Sequence, residues 1–484
     1  MTKPRGKRVW MIVLMCVAAV GASQAQTLKT LATFDIDDGD YPAAYLVQGS
    51  NGDLYSTTSQ GGNVVYASGT VFRVTTAGKL TSLYSFGGPD GAYPSSGLVQ
   101  TTSGDFYGTT SEGGLECGQS GCGTIFEITP GGKLTTLHSF GGRDGSSPTG
   151  LVHATDGNFY GTTFRGGAHG YGTVFKITSA GKLTTLYSFC VQSNCADGSY
   201  SSAQLVQASD GDFYGTTREG GTNGDGTVFK ITAEGELTTL HSFSGVDGAL
   251  PMAGLVLATN GYFYGMTYIG GAHNEGTIFK MTPQGTLTTL YSFCAQTNCA
   301  DGREPFGELV QATDGNFYGT TSMGGNGPDC SAGCGTAFKI TAAGGFTRLY
   351  NFCSQTNCND GAYPESGLVQ DTNGKLYGTT AGLLLDRGTI SSAGEGTIFS
   401  LSVGLGPFVG LSPASGKVGT TVIVLGTNLS GATGVTFNGI PAGFAVISSS
   451  EIKTSVPTGA TTGYVRVRMP KKTLNSNVVF RVTK

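Results

Sequence analysis

Ten cysteines beyond residue 25 fall into five local pairs: Cys117/Cys122, Cys190/Cys195, Cys294/Cys299, Cys330/Cys334 and Cys353/Cys358. Thiols this close can form disulfides or ligate metal, but a structural zinc gathers four ligands and these pairs are scattered along the chain. The even count and close spacing predict five disulfides that stiffen loops. An aspartate precedes glycine in seven similar stretches, at Asp38, Asp90, Asp144, Asp197, Asp247, Asp301 and Asp360. A carboxylate repeated this way reads first as an Asx-type turn. Its functional alternative is a set of Ca²⁺ ligands, with Asp90, Asp144, Asp197, Asp247, Asp301 and Asp360 as the candidates and calcium the only cofactor the sequence raises. His169 and His273 stand at matching places in Gly166-Gly-Ala-His-Gly-Tyr171 and Gly270-Gly-Ala-His-Asn-Glu275, where they could share a ligand. A last set breaks the repetition: Glu112, Arg165, Arg218, Glu219, Arg303, Glu304 and Glu308. Asymmetric acids and bases are what proton transfer needs, so Glu304, Glu308 and His273 are the catalytic candidates. His169, Tyr171, His273, Glu275, Arg165, Arg218 and Arg303 are the candidates for ligand binding; the bland reading of all of them is solvated loop charge. His138 and His241, standing for Tyr, and His153, standing for Gln, read as structural substitutions. No G-x-S-x-G, H-E-x-x-H, P-loop or dinucleotide fingerprint is present.

The elements that position these residues follow from composition and repetition. Of 484 residues 81 are Gly and 16 Pro, while 12% are charged, 10% aromatic and 38% hydrophobic. Collagen and disordered Gly/Pro chains do not fit these values, and a folded, turn-rich chain does. Residues 1–25 carry Lys3, Arg5, Lys7 and Arg8, an apolar run from Trp10 to Val20, and a small-residue end at Ser23 and Ala25. They read as a secretory signal peptide, so the protein is expected to be secreted or held at the cell surface, with the periplasm as the alternative. No later segment is long and apolar enough for a helical span.

The segment Phe106-Tyr-Gly-Thr-Thr110 recurs seven times, with tyrosines at 55, 107, 160, 214, 264, 318 and 377, 50–59 residues apart. Each unit holds four short β-branched and aromatic runs, a to d, as in Leu98–Thr101, Asp105–Thr110, Gly123–Thr129 and Lys133–Phe140. Glycine marks the a–b turn of every copy and the c–d turn of six, as tight hairpins require. The seventh unit lacks a d run, while Leu28-Lys-Thr-Leu-Ala-Thr-Phe34 is a spare one at the other end. The expected fold is therefore all-β: a seven-bladed β-propeller over residues 27–403, closed by an N-terminal strand that hides the last open edge. The repeat wording G-L-V-Q, F-Y-G-T-T, G-T-[VI]-F-K-[IM]-T and L-T-T-L-[YH]-S-F resembles the Gloeo-Verruco tandem repeat of exported bacterial proteins. That resemblance implies export and a propeller, and brings no activity with it.

From Pro407 the period disappears. Leu411-Ser-Pro-Ala-Ser-Gly-Lys-Val-Gly-Thr420, Gly426-Thr-Asn-Leu-Ser430 and Val435-Thr-Phe-Asn-Gly439 lie among short alternating runs that suggest a small Ig-like β-sandwich over residues 407–484. These motifs resemble the IPT/TIG domain, which implies a spacer or binding module; Met469-Pro-Lys-Lys472 departs from its usual uncharged stretch. Residues 26–406 hold 16 Lys/Arg against 31 Asp/Glu, net −15, while residues 407–484 hold 8 Lys/Arg against Glu451 alone, net +7. The acidic propeller argues against nucleic acid as a partner.

Propeller topology puts all b–c and d–a loops, and all five cysteine pairs, on one face. The a–b and c–d face is all tight hairpins and leaves little room for a site. The leading expectation is a non-catalytic binding or scaffold protein taking an extracellular glycan, peptide or cell-surface component on the loop face. The alternative is a secreted hydrolase or lyase acting on polysaccharide, with Tyr171, Tyr200 and Tyr268 as stacking residues. Thiol titration of the denatured, unreduced protein checks the cysteine pairing: no reactive thiol is expected beyond Cys16, which the signal peptide would carry away, whereas ten would refute it.

Overall fold

The sequence F-Y-G-T-T builds the same strand in every repeat because each position has a separate steric or hydrogen-bonding job. In the computed structural model, which describes residues 26–64, 68–118, 121–326, 330, 333–382 and 395–483, these five residues of the second strand are buried in every unit. The expected signal peptide lies outside these residues. The Tyr of one unit stacks on the Phe of the next, as Tyr55 on Phe106 at 4.3 Å, Tyr160 on Phe213 at 4.0 Å and Tyr264 on Phe317 at 3.9 Å between ring centroids. The Gly admits the neighbouring rings: a Cβ on Gly108 would lie 2.6 Å from the Phe126 ring and 2.7 Å from Leu98. The first Thr donates to the segment that leads into the innermost strand of the next unit, as Thr57 to Ser96 O at 3.1 Å and Thr216 to Ala253 O at 3.2 Å. The second Thr pairs with the Thr that opens the third strand, at 2.8–2.9 Å in all seven units.

These strands form seven four-stranded antiparallel sheets. Six use consecutive strands: blade 1 spans Val47–Ser85, blade 2 Val99–Ser139, blade 3 Ser146–Ser188, blade 4 Val206–Ser242, blade 5 Val256–Ser292 and blade 6 Val310–Asn351. Blade 7 takes Val369–Gln370, Leu376–Thr380 and Thr397–Ser402 from the end of the repeat region and its outer strand, Thr27–Thr33, from the beginning. In the complete blades the outer strand skips one residue against the third strand, Leu83 in blade 1 for instance. Thr27–Thr33 makes the same skip at Leu31 and so occupies an outer-strand position in full detail. The innermost strands are shorter than the sequence predicts, two residues in every blade but the third.

Closure is visible in the aromatic core. The outer-strand Phe of each blade meets the third-strand Phe of the next edge to face, at 5.0–5.4 Å in all seven interfaces. One of the seven is Phe34 on Phe72, which joins blade 7 to blade 1. The cysteines pair as the spacing predicts, Cys117–Cys122, Cys190–Cys195, Cys294–Cys299, Cys330–Cys334 and Cys353–Cys358.

Residues 409–482 form two facing sheets. One holds Gly410–Ser412, Thr421–Leu425, Glu451–Ser455 and Phe444–Val446; the other holds Ser415–Gly416, Thr473–Val482, Gly463–Arg468, Gly434–Phe437 and Ile440–Ala442. Val422, Val424, Val435, Phe437, Ile452, Val465 and Phe480 fill the space between them. This sandwich sits on the a–b turns of the propeller. Ser450 donates to Ser50 O at 2.8 Å, Arg481 to Ser209 O at 2.8 Å, Phe408 N–H to Thr372 O at 3.1 Å, and Thr427 pairs with Thr372 at 3.0 Å. These contacts reach blades 1, 4 and 7, so the domain spans the ring axis. The hairpin face, on which the sequence leaves little room for a site, is therefore where the C-terminal domain docks. Phe34→Ala should cost about 3–5 kcal/mol by emptying the closing interface, while Ile36→Ala, at a 59% exposed position, should cost little; thermal unfolding of both variants measures the difference.

Candidate functional site

Before each innermost strand, or at its second residue in blade 3, one residue per blade adopts a left-handed backbone although none is Gly: Tyr41, Tyr93, Ser147, Tyr200, Leu250, Glu304 and Tyr363, at φ between 52° and 58°. Bulky residues avoid this region unless the surroundings compel it. The compulsion is a clasp between blades. Each of the seven donates its N–H to a b–c loop carbonyl of the preceding blade, at 2.7–3.1 Å. The clasp sets a ring of side chains around the loop-face end of the axis, four of them tyrosines.

Two residues further along stand Glu365 in blade 7 and Phe306 in blade 6, and two further still Tyr45, Gly97, Gln204, Gly254, Glu308 and Gly367, with Gly150, only three residues after Ser147, in the same place in blade 3. Tyr45 of blade 1 donates its hydroxyl to Gln204 of blade 4, three blades away, so this pair crosses the axis. The Gln204 amide donates to Leu151 O. The glycines make room: a Cβ on Gly97 would enter the Tyr45 ring and one on Gly254 would collide with the Glu308 carboxylate. Burial pushes the Glu308 carboxyl up to about 7, against the opposing pull of the Gly254 N–H. Burial also raises the Tyr45 phenol, and the nearby Glu308 charge adds to the rise. On the same face the next residue is Val in every blade, Val47, Val99, Val152, Val206, Val256, Val310 and Val369, giving an apolar inner edge below the polar layer.

Above Tyr45, Gln204 and Glu308 the wall between blades 5 and 1 is acidic and phenolic. Tyr41 donates to Glu365, and Tyr268 to Glu304 at 2.6 Å. Burial raises the Glu365 carboxyl, while the Tyr41 hydroxyl draws it back. Arg303 reaches Glu275 at 3.5 Å and Met323 Sδ at 3.5 Å, and its Nε is buried without a hydrogen-bond partner. Opposite, Tyr171 and Phe164 pack against Tyr200 at 5.4 and 5.2 Å. This wall combines hydrogen-bonding carboxylates with aromatic faces, a surface able to hold hydroxyl or ammonium groups.

The remaining sequence candidates lie elsewhere. His169 and His273 are exposed on the b–c loops of blades 3 and 5. Arg165 is exposed beside Phe164, and Arg218 sits 3.8 Å from Glu219. The Asp-Gly carboxylates fasten loops. Asp90, Asp197, Asp301 and Asp360 each accept from a tyrosine of the outer strand, and Asp144 and Asp247 meet His138 and His241 Nε2 at 2.8 Å, the histidines standing where the other blades use Tyr. Asp197, Asp301 and Asp360 are fully buried and also bind the N–H groups of the adjoining cysteine loops. Asp38 has no phenol to meet, because Ala32 stands at the tyrosine position. Among the described residues, the one group of three or more candidate metal ligands within 4.8 Å is Cys330, Cys334 and Cys353, all in disulfides. His153 stacks on Phe159 at 4.9 Å. At five other interfaces the equivalent Gln accepts a backbone N–H of the preceding blade, as Gln100 does from Ser50 at 2.9 Å.

The model of the Gloeobacter/Verrucomicrobia repeat matches residues 20–196, 115–328 and 190–399, nearly the whole of the repeated region. The chain belongs to this family. The IPT/TIG domain model matches residues 408–482 of this Gloeobacter/Verrucomicrobia repeat protein. Solved structures similar to it include candidate 6-phosphogluconolactonases of Bacteroides uniformis (15% identity, TM-score 0.43, covering 72% of this chain and 99% of that one) and Bacteroides fragilis (18%, 0.42, 79% and 99%). The PQQ-bound aldose sugar dehydrogenase of Streptomyces coelicolor is similar at 13% identity and TM-score 0.35, covering 78% of this chain and 98% of that one. No curated protein matches.

Sequence reasoning singled out Glu304 and Glu308 but missed Tyr41, Tyr45, Gln204 and Glu365. For Tyr45 and Gln204 the signal was available: they stand directly before L-V, where four of the seven units have Gly. Glu308 also sets a pH dependence. Its folded pKa lies above that of a free Glu, so the folded state takes up a proton first and stability falls as pH rises from about 4.5 to 7. Glu308→Gln should therefore leave stability at pH 4 little changed and raise it at pH 8 by roughly 1–3 kcal/mol, measured by denaturant unfolding at both pH values.

Proposed function

We propose that this protein is exported and binds an extracellular ligand, a glycan or a peptide, at the loop-face end of its propeller axis. The observation that carries the reading is the ring of seven left-handed residues, Tyr41, Tyr93, Tyr200 and Tyr363 among them, beside which Tyr41 donates to Glu365 and Tyr268 to Glu304. Strained backbone concentrates where a surface must be presented in one shape. Tyrosine offers a broad, rigid contact at low entropic cost, and the carboxylates orient ligand hydroxyls or amines. The disulfide-bonded loops accord with an oxidising compartment, and among the described residues no helix is long and apolar enough to cross a membrane.

A hydrolytic or lyase reading draws on one observation, the Glu308 carboxyl with its pKa near neutral beside Tyr45 and Gln204, a setting suited to general-acid work. The two readings separate in one experiment. The purified protein is screened by thermal shift against glycans and peptides, with and without Ca²⁺ or EDTA, and the same mixtures are assayed for product. Under the binding reading a ligand raises the melting temperature, nothing is released, and the paired change Tyr93→Ala/Tyr363→Ala weakens affinity at least tenfold. Turnover abolished by Glu308→Gln, Glu304→Gln or His273→Ala would replace that reading with the hydrolytic one.

A further inference from the structure

The junction between the propeller and the IPT/TIG domain holds two adjoining clefts of about 470 and 350 Å³. Thr313, Tyr464 and Asn477 line both, which makes them parts of one groove. The strand Gly463–Arg468 forms its domain-side wall. Alternation along that strand puts Tyr464, Arg466 and Arg468 on one face, all exposed, with about 7 Å from one arginine to the next. The same wall continues into the hairpin with Lys471 and Lys472, both exposed. Arg466 donates its Nε to Asn475 Oδ1 at 3.2 Å, which fixes the guanidinium and leaves its terminal nitrogens free to bind.

No carboxylate answers this row of charge. Among the described residues none of these four cations has an acidic partner within salt-bridge distance, although the propeller beside them is acidic. Asp314, between the groove-lining Thr313 and Gly315, is taken by Lys339 at 3.1 Å, by Asn316 and by Tyr318. The domain's one acid, Glu451, lies on the other sheet and lines a separate cleft with Ser412 and Leu425. A fixed arginine, an exposed tyrosine and the amides of Asn475 and Asn477 thus face a common groove, with further cations leading out of it.

We propose that this interdomain groove binds an anionic polysaccharide, a glycan bearing a carboxylate or sulfate on successive residues. Planar guanidinium groups receive carboxylate or sulfate in paired hydrogen bonds. The amides match sugar hydroxyls, and Tyr464 offers an aromatic face to a ring. A groove between two rigid bodies admits an extended chain and keeps a flat bilayer away from Arg466, so a polymer fits it better than a lipid surface. This site is separate from the loop-face opening, since the domain stands on the opposite end of the axis.

Affinity electrophoresis in gels containing polygalacturonate, dextran sulfate or uncharged dextran tests the assignment, with sedimentation onto phosphatidylglycerol and phosphatidylcholine vesicles as a parallel arm. The full-length protein is expected to be retarded by at least one of the two anionic polymers, not by dextran, and to lose most of the retardation at high salt. Arg466→Gln/Arg468→Gln should weaken that binding at least tenfold with an unchanged melting temperature, and Tyr464→Ala should weaken it several-fold with the charges intact. Absence of retardation in both anionic gels would overturn the proposal. So would equal retardation of the arginine variant, or binding confined to phosphatidylglycerol vesicles.

Discussion

The structure depends on one contact made seven times, the edge-to-face meeting of an outer-strand Phe with a third-strand Phe of the following blade. A four-stranded sheet of this size cannot bury both of its faces alone. Every blade is therefore finished only by its neighbours, and the ring is the smallest arrangement in which all of them are finished. The Tyr-on-Phe stacks and the Thr bonds run through the same interfaces, so the blades are held in angular register as well as in contact. That rigidity lets seven non-glycine residues keep a left-handed backbone, and those residues shape the opening above the axis.

The fold was legible because each repeat spells out its interface. F-Y-G-T-T names a stack, a close approach and two hydrogen bonds, and the spare Leu28–Phe34 run announces where the ring closes. The site was legible only in part. Glu304 and Glu308 stood out as charges that break the pattern, whereas Tyr45 and Gln204 occupy places where an uncharged departure from the repeat looks like drift, and Tyr41 repeats the residue its position most often carries. Their meaning lies in the approach of blades 1 and 4 across the axis, which no local spacing encodes. The Asp-Gly motif shows the converse: its regularity marked it as structural, and Asp197, Asp301 and Asp360 spend their carboxylates on loop N–H groups and a tyrosine.

The two ends of the axis differ in chemical character. The loop end gathers carboxylates and phenols, the hairpin end carries a cationic domain, and Tyr45, Gln204 and Glu308 with the valine edge lie between them. Charge separation on the scale of the whole chain, net −15 against +7, thus becomes polarity along an axis. Among the described residues no ion pair joins the basic domain to the acidic propeller; its docking contacts are hydrogen bonds from Ser450, Arg481 and Phe408 to backbone carbonyls and the Thr427–Thr372 hydroxyl pair.

The closing strand also fixes an order of events. Thr27 pairs with Ser402 and Thr33 with Thr397, so the first strand of the repeat region meets its partner only after the chain of all the other blades has been made. Until then it is an unpaired edge tethered to a growing stack, and its docking is the longest-range contact in the propeller. The molecule behaves as a clasped bracelet, in which no single blade can detach while the ends of the repeat region stay joined.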